Sequence, residues 1–174
     1  MDTLQAIATR KSTRNFTSQQ LPEESLQTIL QAGFAAPVAM GNYESLHITV
    51  VQDPAALGKV NACTEEMFFR LTGNRRELGY GAQTLVLVST QPVHRPGTNH
   101  ANAGIVVENM VLAATAIGID SVILGAAPAA VAKDEGLLQA LGIPAGFEPV
   151  LGAFFGYGAE PTPVKSHTIS VNWV

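Results

Sequence analysis

The stretch AGIVVENMVLAATAIGI, residues 103–119, carries apolar side chains at almost every position. At helical spacing Ile105, Val106, Val107, Met110, Val111, Leu112 and Ile117 point in all directions, and only Glu108 and Asn109 are strongly polar. A helix that is apolar all round has to be covered on all sides. This one is slightly short for a membrane span of about 20 residues and is interrupted by its two polar residues. It is therefore expected as a buried helix from about Asn102 to Gly118, closed by that glycine. A chain of 174 residues suffices for one well-buried domain, and two would be cramped. The material available to wrap such a helix is limited. With 47% apolar and only 14% charged residues, more surface than usual is expected to be hidden between subunits. The small residues Ala103, Gly104, Ala113 and Ala114 would allow a close crossing against a symmetry mate. The helix is accordingly expected at the centre of an obligate dimer.

Around it, helical and strand patterns alternate without a break in composition. Asp2 or Thr3 can cap a short helix carrying Leu4, Ile7 and Ala8. In LPEESLQTILQAGFAA, Pro22 suits the first helical turn and Glu23 and Glu24 favour the positive end of the dipole. Leu26, Ile29, Leu30 and Phe34 form the apolar stripe that follows, and Pro37 ends it. HITVVQ and TLVLVST read as strands, with a helix from Pro54 to about Leu71 between them. SVIL and PVLGAFFGYG are two further strands, AAVAKDEGLLQALG one further helix, and the alternating tail SHTISVNWV a short final strand. The expectation is one α+β domain over residues 1–174, with no internal repeat.

Ten Lys and Arg against fourteen Asp and Glu leave a net charge of −4, which argues against a general nucleic-acid or membrane-surface binder. The single cysteine, Cys63, cannot form an internal disulfide, and no signal-like apolar segment follows Met1, so a cytoplasmic protein is the simplest account. Against this acidic background RKSTRNF, residues 10–16, crowds three cations and two hydroxyls together. Guanidinium forks match phosphate oxygens, and Ser12 or Thr13 can donate a further hydrogen bond. The same residues read equally as a solvated basic helix end. Lys165 and His167 in PTPVKSH could supply a converging basic group.

Other chemistries find less support. The glycines 152, 156 and 158 do not make a dinucleotide fingerprint, and no GxxxxGK[ST] occurs. His94 and His100 share a loop but have no evident third metal ligand. Cys63 lies in a helical pattern with no basic partner, and Ser12 lacks a His and Asp set. For Glu108 and Asn109 a subunit-interface or backbone hydrogen-bonding role is expected, because buried polar groups need partners.

From end to end the chain resembles the nitroreductase-type flavoproteins. RKSTRNF resembles the family's opening R-x-S-x-R/K-x-F motif, and AAPVAMGNYESLHITVV its A-P-S-x-x-x-N segment leading into the first strand. NAGIVVENMVLAATAIGIDSVILG resembles the long central helix, and LGAFFGYGAEPTPVKS the closing strand with its Pro-rich turn and basic residue. The resemblance implies a nitroreductase-like α+β fold, with a mixed or antiparallel central sheet flanked by helices and the long helix at a homodimer interface. It implies FMN as cofactor and NADH or NADPH as reductant of a small electron-poor acceptor in a ping-pong cycle. By position, Arg10, Lys11, Ser12 and Arg14 would hold the phosphate and ribityl chain, joined by Lys165 and, where an Arg is frequent, His167. Pro37, Val38, Ala39 and Asn42 would come from the partner subunit and line the isoalloxazine edge. Leu124 and Gly125 would bring backbone amides to the ring, and Asn74 would face its pyrimidine edge. Val38 stands in place of the usual Ser, Leu124 in place of a frequent acid, and Glu44-Ser45-Leu46 in place of Q-P-W. No catalytic side chain is expected, since position and electrostatics are what the protein supplies to flavin chemistry. The rivals are an FMN store without turnover and a flavin enzyme of different chemistry, such as reductive dehalogenation or flavin breakdown.

Overall fold

A computed structural model describes residues 1–92, 97–164 and 166–174. Strand β1 (Leu46–Val51) lies at one edge of a four-stranded sheet, followed by β2 (Thr84–Thr90), β4 (Glu148–Gly156) and β3 (Asp120–Leu124). All three pairings between these strands are antiparallel. An antiparallel sheet often leaves one face to water and then alternates in sequence. Here β2 is buried along its whole length, because helices cover both faces. Val86, Val88, Ala153 and Phe155 pack on one side with Ile29, Val107, Met110 and Val111. Leu85, Leu87 and Phe154 pack on the other with Leu57, Val60, Ala127 and Val131.

The first of these helical layers holds α2 (Glu23–Phe34) and α4 (Thr98–Ala116), with α1 (Thr3–Thr9) against α4. The second holds α3 (Pro54–Thr72), α5 (Ala126–Val131) and α6 (Glu135–Ala140). Local chemistry sets most of the boundaries. Asp2 caps α1 by accepting from Gln5 N at 2.9 Å, and Asp53 caps α3 by accepting from Ala56 N at 2.8 Å. Gly73, with φ of 74°, closes α3 in the left-handed conformation that glycine adopts without a Cβ penalty. Pro22 stands just ahead of α2 as its N-cap.

Three expected elements differ. The long helix begins at Thr98 rather than near Asn102, because Gly97 (φ of 80°) starts it earlier. The segment 129–142 is two helices, since Asp134 leaves the helical conformation to accept from Leu137 N at 2.9 Å and so caps α6. The tail 166–174 forms no strand: its alternation suits one, but it pairs with no strand among the described residues, and Ile169, Val171 and Trp173 are exposed.

The central helix buries one face, not all. Ala103, Val106, Val107, Met110, Val111 and Ala114 are enclosed by the chain's own core. Ile105 and Ile117 remain 40% and 44% exposed, and Gly104, Leu112 and Ala113 are half-buried. Of the small residues expected at a close helix crossing, Ala103 and Ala114 thus face inward, while Gly104 and Ala113 lie on the less covered side. Asn109 meets the backbone role expected of it, donating from Nδ2 to Ala32 O at 3.1 Å.

Candidate functional site

Residues 12–17 run extended along the end of the sheet. Thr13 N donates to Ser121 O at 3.0 Å, and Phe16 N to Tyr80 O at 2.9 Å. Thr17 N then donates to Tyr157 O at 2.8 Å, and Ala159 N returns a bond to Asn15 O at 2.9 Å. Thr13 and Phe16 are buried and anchor the segment. The side chains between and before them are left facing outward. That orientation leaves the cations of RKSTRNF available to a ligand. The motif starts at the end of α1, where Arg10 N donates to Ala6 O at 2.9 Å, and continues as a strip pinned to β3 and to the exit of β4.

The outward side chains line a cavity of about 480 Å³. Arg10, Lys11, Ser12, Arg14 and Asn15 form one wall, and Glu160 to Pro163, with His167, form the other. The structure thus brings His167 to the motif as the converging basic residue, while Lys165 lies outside the described residues. His94 lies outside them too, and His100 contacts its neighbour Asn99 through Nδ1 at 3.0 Å.

Acids stand behind the cations. Lys11 Nζ lies 2.8 Å from Asp120 Oδ1, and Arg10 Nε lies 4.0 Å from Glu108 Oε1. Arg14 meets only the Ser12 carbonyl, at 3.3 Å, and no carboxylate among the described residues. Glu108, expected at an interface or on a backbone group, faces Arg10 within the chain, and its carboxylate makes no backbone hydrogen bond among the described residues. Asp120 was not singled out from the sequence, where it is one acid between a helix end and a strand.

The other expected contacts lie elsewhere in the chain. Leu124 pairs with Gly152 at the far end of β3, three residues or about 10 Å along the strand from Ser121, and Gly125 follows as the N-cap of α5. Pro37, Ala39 and Asn42 are exposed on the loop before β1, whereas the Val38 side chain is buried. That loop is held by Asn102, whose Oδ1 accepts from Ala39 N at 3.1 Å. It turns through Met40 and Gly41, with φ of 59° and 65°, and Met40 is fully exposed. Asn74 bonds locally, from Nδ2 to Thr72 O at 3.2 Å. None of these seven lines the cationic cavity.

A larger groove of about 900 Å³ lies between α3 and the α5–α6 pair. Its charges are mixed, with Lys59, Arg70 and Lys133 against Glu66, Asp134 and Glu135. Its one thiol, Cys63, lies with Sγ 3.6 Å from Ala130 O, and burial, with the Asp134 charge behind it, pushes the thiol up. A neutral thiol is a poor nucleophile. The smaller cavity, with one sign of charge concentrated on one wall, is the better ligand site.

Whether FMN fits that cavity can be judged from its donors. Two guanidinium groups, one ammonium and the Ser12 hydroxyl line it, against a single lining acid, Glu160. This set suits a phosphate ester, and the volume lies within the roughly 300–1,000 Å³ usual for small-ligand sites. The residues fit the phosphate end of the cofactor.

A helix-covered antiparallel sheet with a cationic strip across its end defines an α+β protein whose strip suits a small anionic ligand. The nitroreductase family model matches residues 7–157, and the chain belongs to the nitroreductase family. It is an oxidoreductase. A nitroreductase with bound FMN from Bacteroides fragilis superposes with a TM-score of 0.84 at 28% identity, covering 100% of this chain and 97% of that one. Another with bound FMN, from Desulfitobacterium hafniense, gives 0.85 at 26% identity, covering 100% and 99%. A protein of Archaeoglobus fulgidus that carries the provisional name NADH dehydrogenase/NAD(P)H nitroreductase is 31% identical over an alignment 146 residues long that covers 81% of this chain and 76% of that one.

Proposed function

We propose that this protein is an FMN-dependent oxidoreductase that takes hydride from NADH or NADPH and passes it to a small electron-poor acceptor, such as a nitroaromatic or a quinone. The two half-reactions alternate at one site, a ping-pong cycle. The observation that carries the reading is the cavity that joins Arg10, Lys11, Ser12 and Arg14 to the turn 160–163 and His167. FMN held by these residues would supply a redox-active ring able to take up and return hydride.

The chain's own residues bind and orient. Arg14, with no acidic partner among the described residues, is the principal phosphate ligand, and the Ser12 hydroxyl and His167 complete the ring of donors. Lys165 belongs to the same set. Leu124 and Gly125 carry backbone toward the isoalloxazine, and Asn74 faces its pyrimidine edge. Pro37, Val38, Ala39 and Asn42 serve a second copy of the chain, which is why they stand apart from the cationic cavity of their own. The active species is a homodimer of one-domain chains, cytoplasmic and unattached to nucleic acid or membrane. Among the described residues no helix is long and apolar enough to cross a membrane.

Anaerobic titration of the yellow protein with NADH and with NADPH tests the reading without a guess at the acceptor. Bleaching, followed by recovery of colour on adding a nitroaromatic or quinone, is expected. Bleaching that no acceptor reverses would favour a different flavin chemistry, and a protein that stays yellow under both nucleotides would be a flavin store.

A further inference from the structure

Asp120 stands where β3, the N-terminal strip and the turn after β4 meet. It opens β3, pairs with Gly156 of β4, and precedes Ser121, whose carbonyl receives Thr13 N. One carboxylate oxygen lies 2.8 Å from Lys11 Nζ, and the other accepts from Gly158 N at 3.1 Å. Lys11 belongs to the cationic wall, and Gly158 begins the turn that becomes the opposite wall. The fit is tight, since a Cβ at position 158 would strike Asp120 Oδ2. Both partners are largely withdrawn from water, with side chains 26% and 24% exposed.

We propose that Asp120 is a positioning residue for the phosphate cradle: it sets the Lys11 ammonium in the cavity wall and ties that wall to the turn opposite. This inference rests on the FMN reading above. An acid behind a phosphate site looks counter-productive, because its charge opposes the anion. The short contacts resolve this. The negative charge is spent on Lys11 and on one backbone N–H, while what the cavity keeps is an ammonium held in one place. A long, flexible lysine placed in advance loses less freedom when the anion arrives.

The test compares FMN with riboflavin, which has the same ring and no phosphate. Dissociation constants for both are measured by flavin fluorescence on the apoprotein of wild type, Asp120→Asn, Lys11→Met and the double variant. The asparagine oxygen can still accept from Gly158 N, so Asp120→Asn removes the ion pair and spares the backbone contact. We expect Asp120→Asn to weaken FMN about tenfold, the scale of coupling between contacting residues, and to leave riboflavin unchanged. In the Lys11→Met background the same change should do nothing further. Should Asp120→Asn not fold, Gly158→Ala displaces the carboxylate without removing it and is read by the same ratio.

Tighter FMN binding by Asp120→Asn would overturn the proposal, leaving Asp120 as an opposing charge. Equal losses for both flavins would overturn it as well, leaving a general structural role. A loss that persists without Lys11 would show that Asp120 does not act through that residue, again against the proposal. Wild-type protein that binds FMN no better than riboflavin would remove the phosphate cradle itself, and with it the FMN reading as well as this one.

Discussion

Arg14 differs from the two cations beside it, because Lys11 is ion-paired and Arg10 stands near Glu108, while Arg14 reaches only a carbonyl. With no acid beside it among the described residues, the Arg14 guanidinium keeps the most N–H donors uncommitted for an anion. Charge-assisted hydrogen bonds to a charged partner contribute about 1.5–3 kcal/mol each. Arg14→Ala is therefore expected to weaken FMN at least about tenfold, and Arg10→Ala together with Arg14→Ala further still, with the fold intact by circular dichroism. Unchanged flavin affinity in the double variant would return the motif to an ordinary basic surface. Cys63 gives a second prediction at this scale. Burial first, and the Asp134 charge second, raise its thiol above the ordinary value. The folded state thus disfavours the thiolate, so the stability tied to this group is complete below the ordinary thiol range. It is lost as the pH climbs through the raised value. Alkylation by iodoacetamide at neutral pH should be slower in the folded protein than in urea, and should accelerate only above the usual thiol range. Equal rates in both states would show that burial does not hold the thiol neutral.

Between elements, two glycines set the spacing of the layers and should respond differently to the same added methyl. A Cβ on Gly33 of α2 would lie 2.9 Å from Met110 Cγ and 3.1 Å from its sulfur on α4. Methionine has rotatable bonds with which to withdraw, and alanine is favoured over glycine in a helix by about 1 kcal/mol. Gly33→Ala should come out within about 1 kcal/mol of neutral. On β4, a Cβ at Gly152 would lie 2.9 Å from the Val86 carbonyl and 3.1 Å from Leu87 Cδ2 on the paired strand. A backbone carbonyl in a hydrogen-bonded ladder cannot rotate away. Gly152→Ala should destabilise by about 1–3 kcal/mol, read as a lower urea midpoint at constant slope. The reverse order of the two variants would show that the helix layer, not the sheet, is the stiffer contact.

At the scale of the whole molecule, a single chain leaves an apolar face exposed along α4 and α1. Ile105 and Ile117 on α4 stand 40% and 44% exposed, with Leu4 and Ile7 of neighbouring α1 at 78% and 53%. A second copy covering this face would bury what one chain leaves in water, and obligate interfaces of this kind typically exceed about 2,000 Å². A charge meant to test such a dimer belongs at Ile105, because Val111, equally apolar in sequence, is wholly enclosed in the chain's own core. Ile105→Lys should yield a folded monomer by light scattering that has released its FMN, since the loop 37–42 would no longer reach a neighbouring site. Val111→Lys should instead unfold the chain. A monomeric Ile105→Lys that retains full FMN would sink the shared-site arrangement.

Local rules were enough to place most of the secondary structure. Caps such as Asp2 and Asp53, the closing Gly73, and the β-branched runs at 47–52 and 84–90 act within a few residues, and their effects are readable in order along the chain. Motif order over residues 7–157 was likewise sufficient for the family. What depends on distant partners was not readable. Periodicity describes α4 as apolar all round, but only packing against α2 and the sheet separates enclosed Val111 from half-exposed Ile105. Alternation in the tail describes a strand, yet residues 166–174 pair with no strand among the described residues. RKSTRNF announces an anion site, but the closeness of its cations to Asp120, Glu108 and His167 depends on bringing together segments roughly a hundred residues or more apart. Burial, charge pairing and cavity shape are properties of atoms in space, and the chain acquires them only when β3 and β4 close against its N-terminal strip.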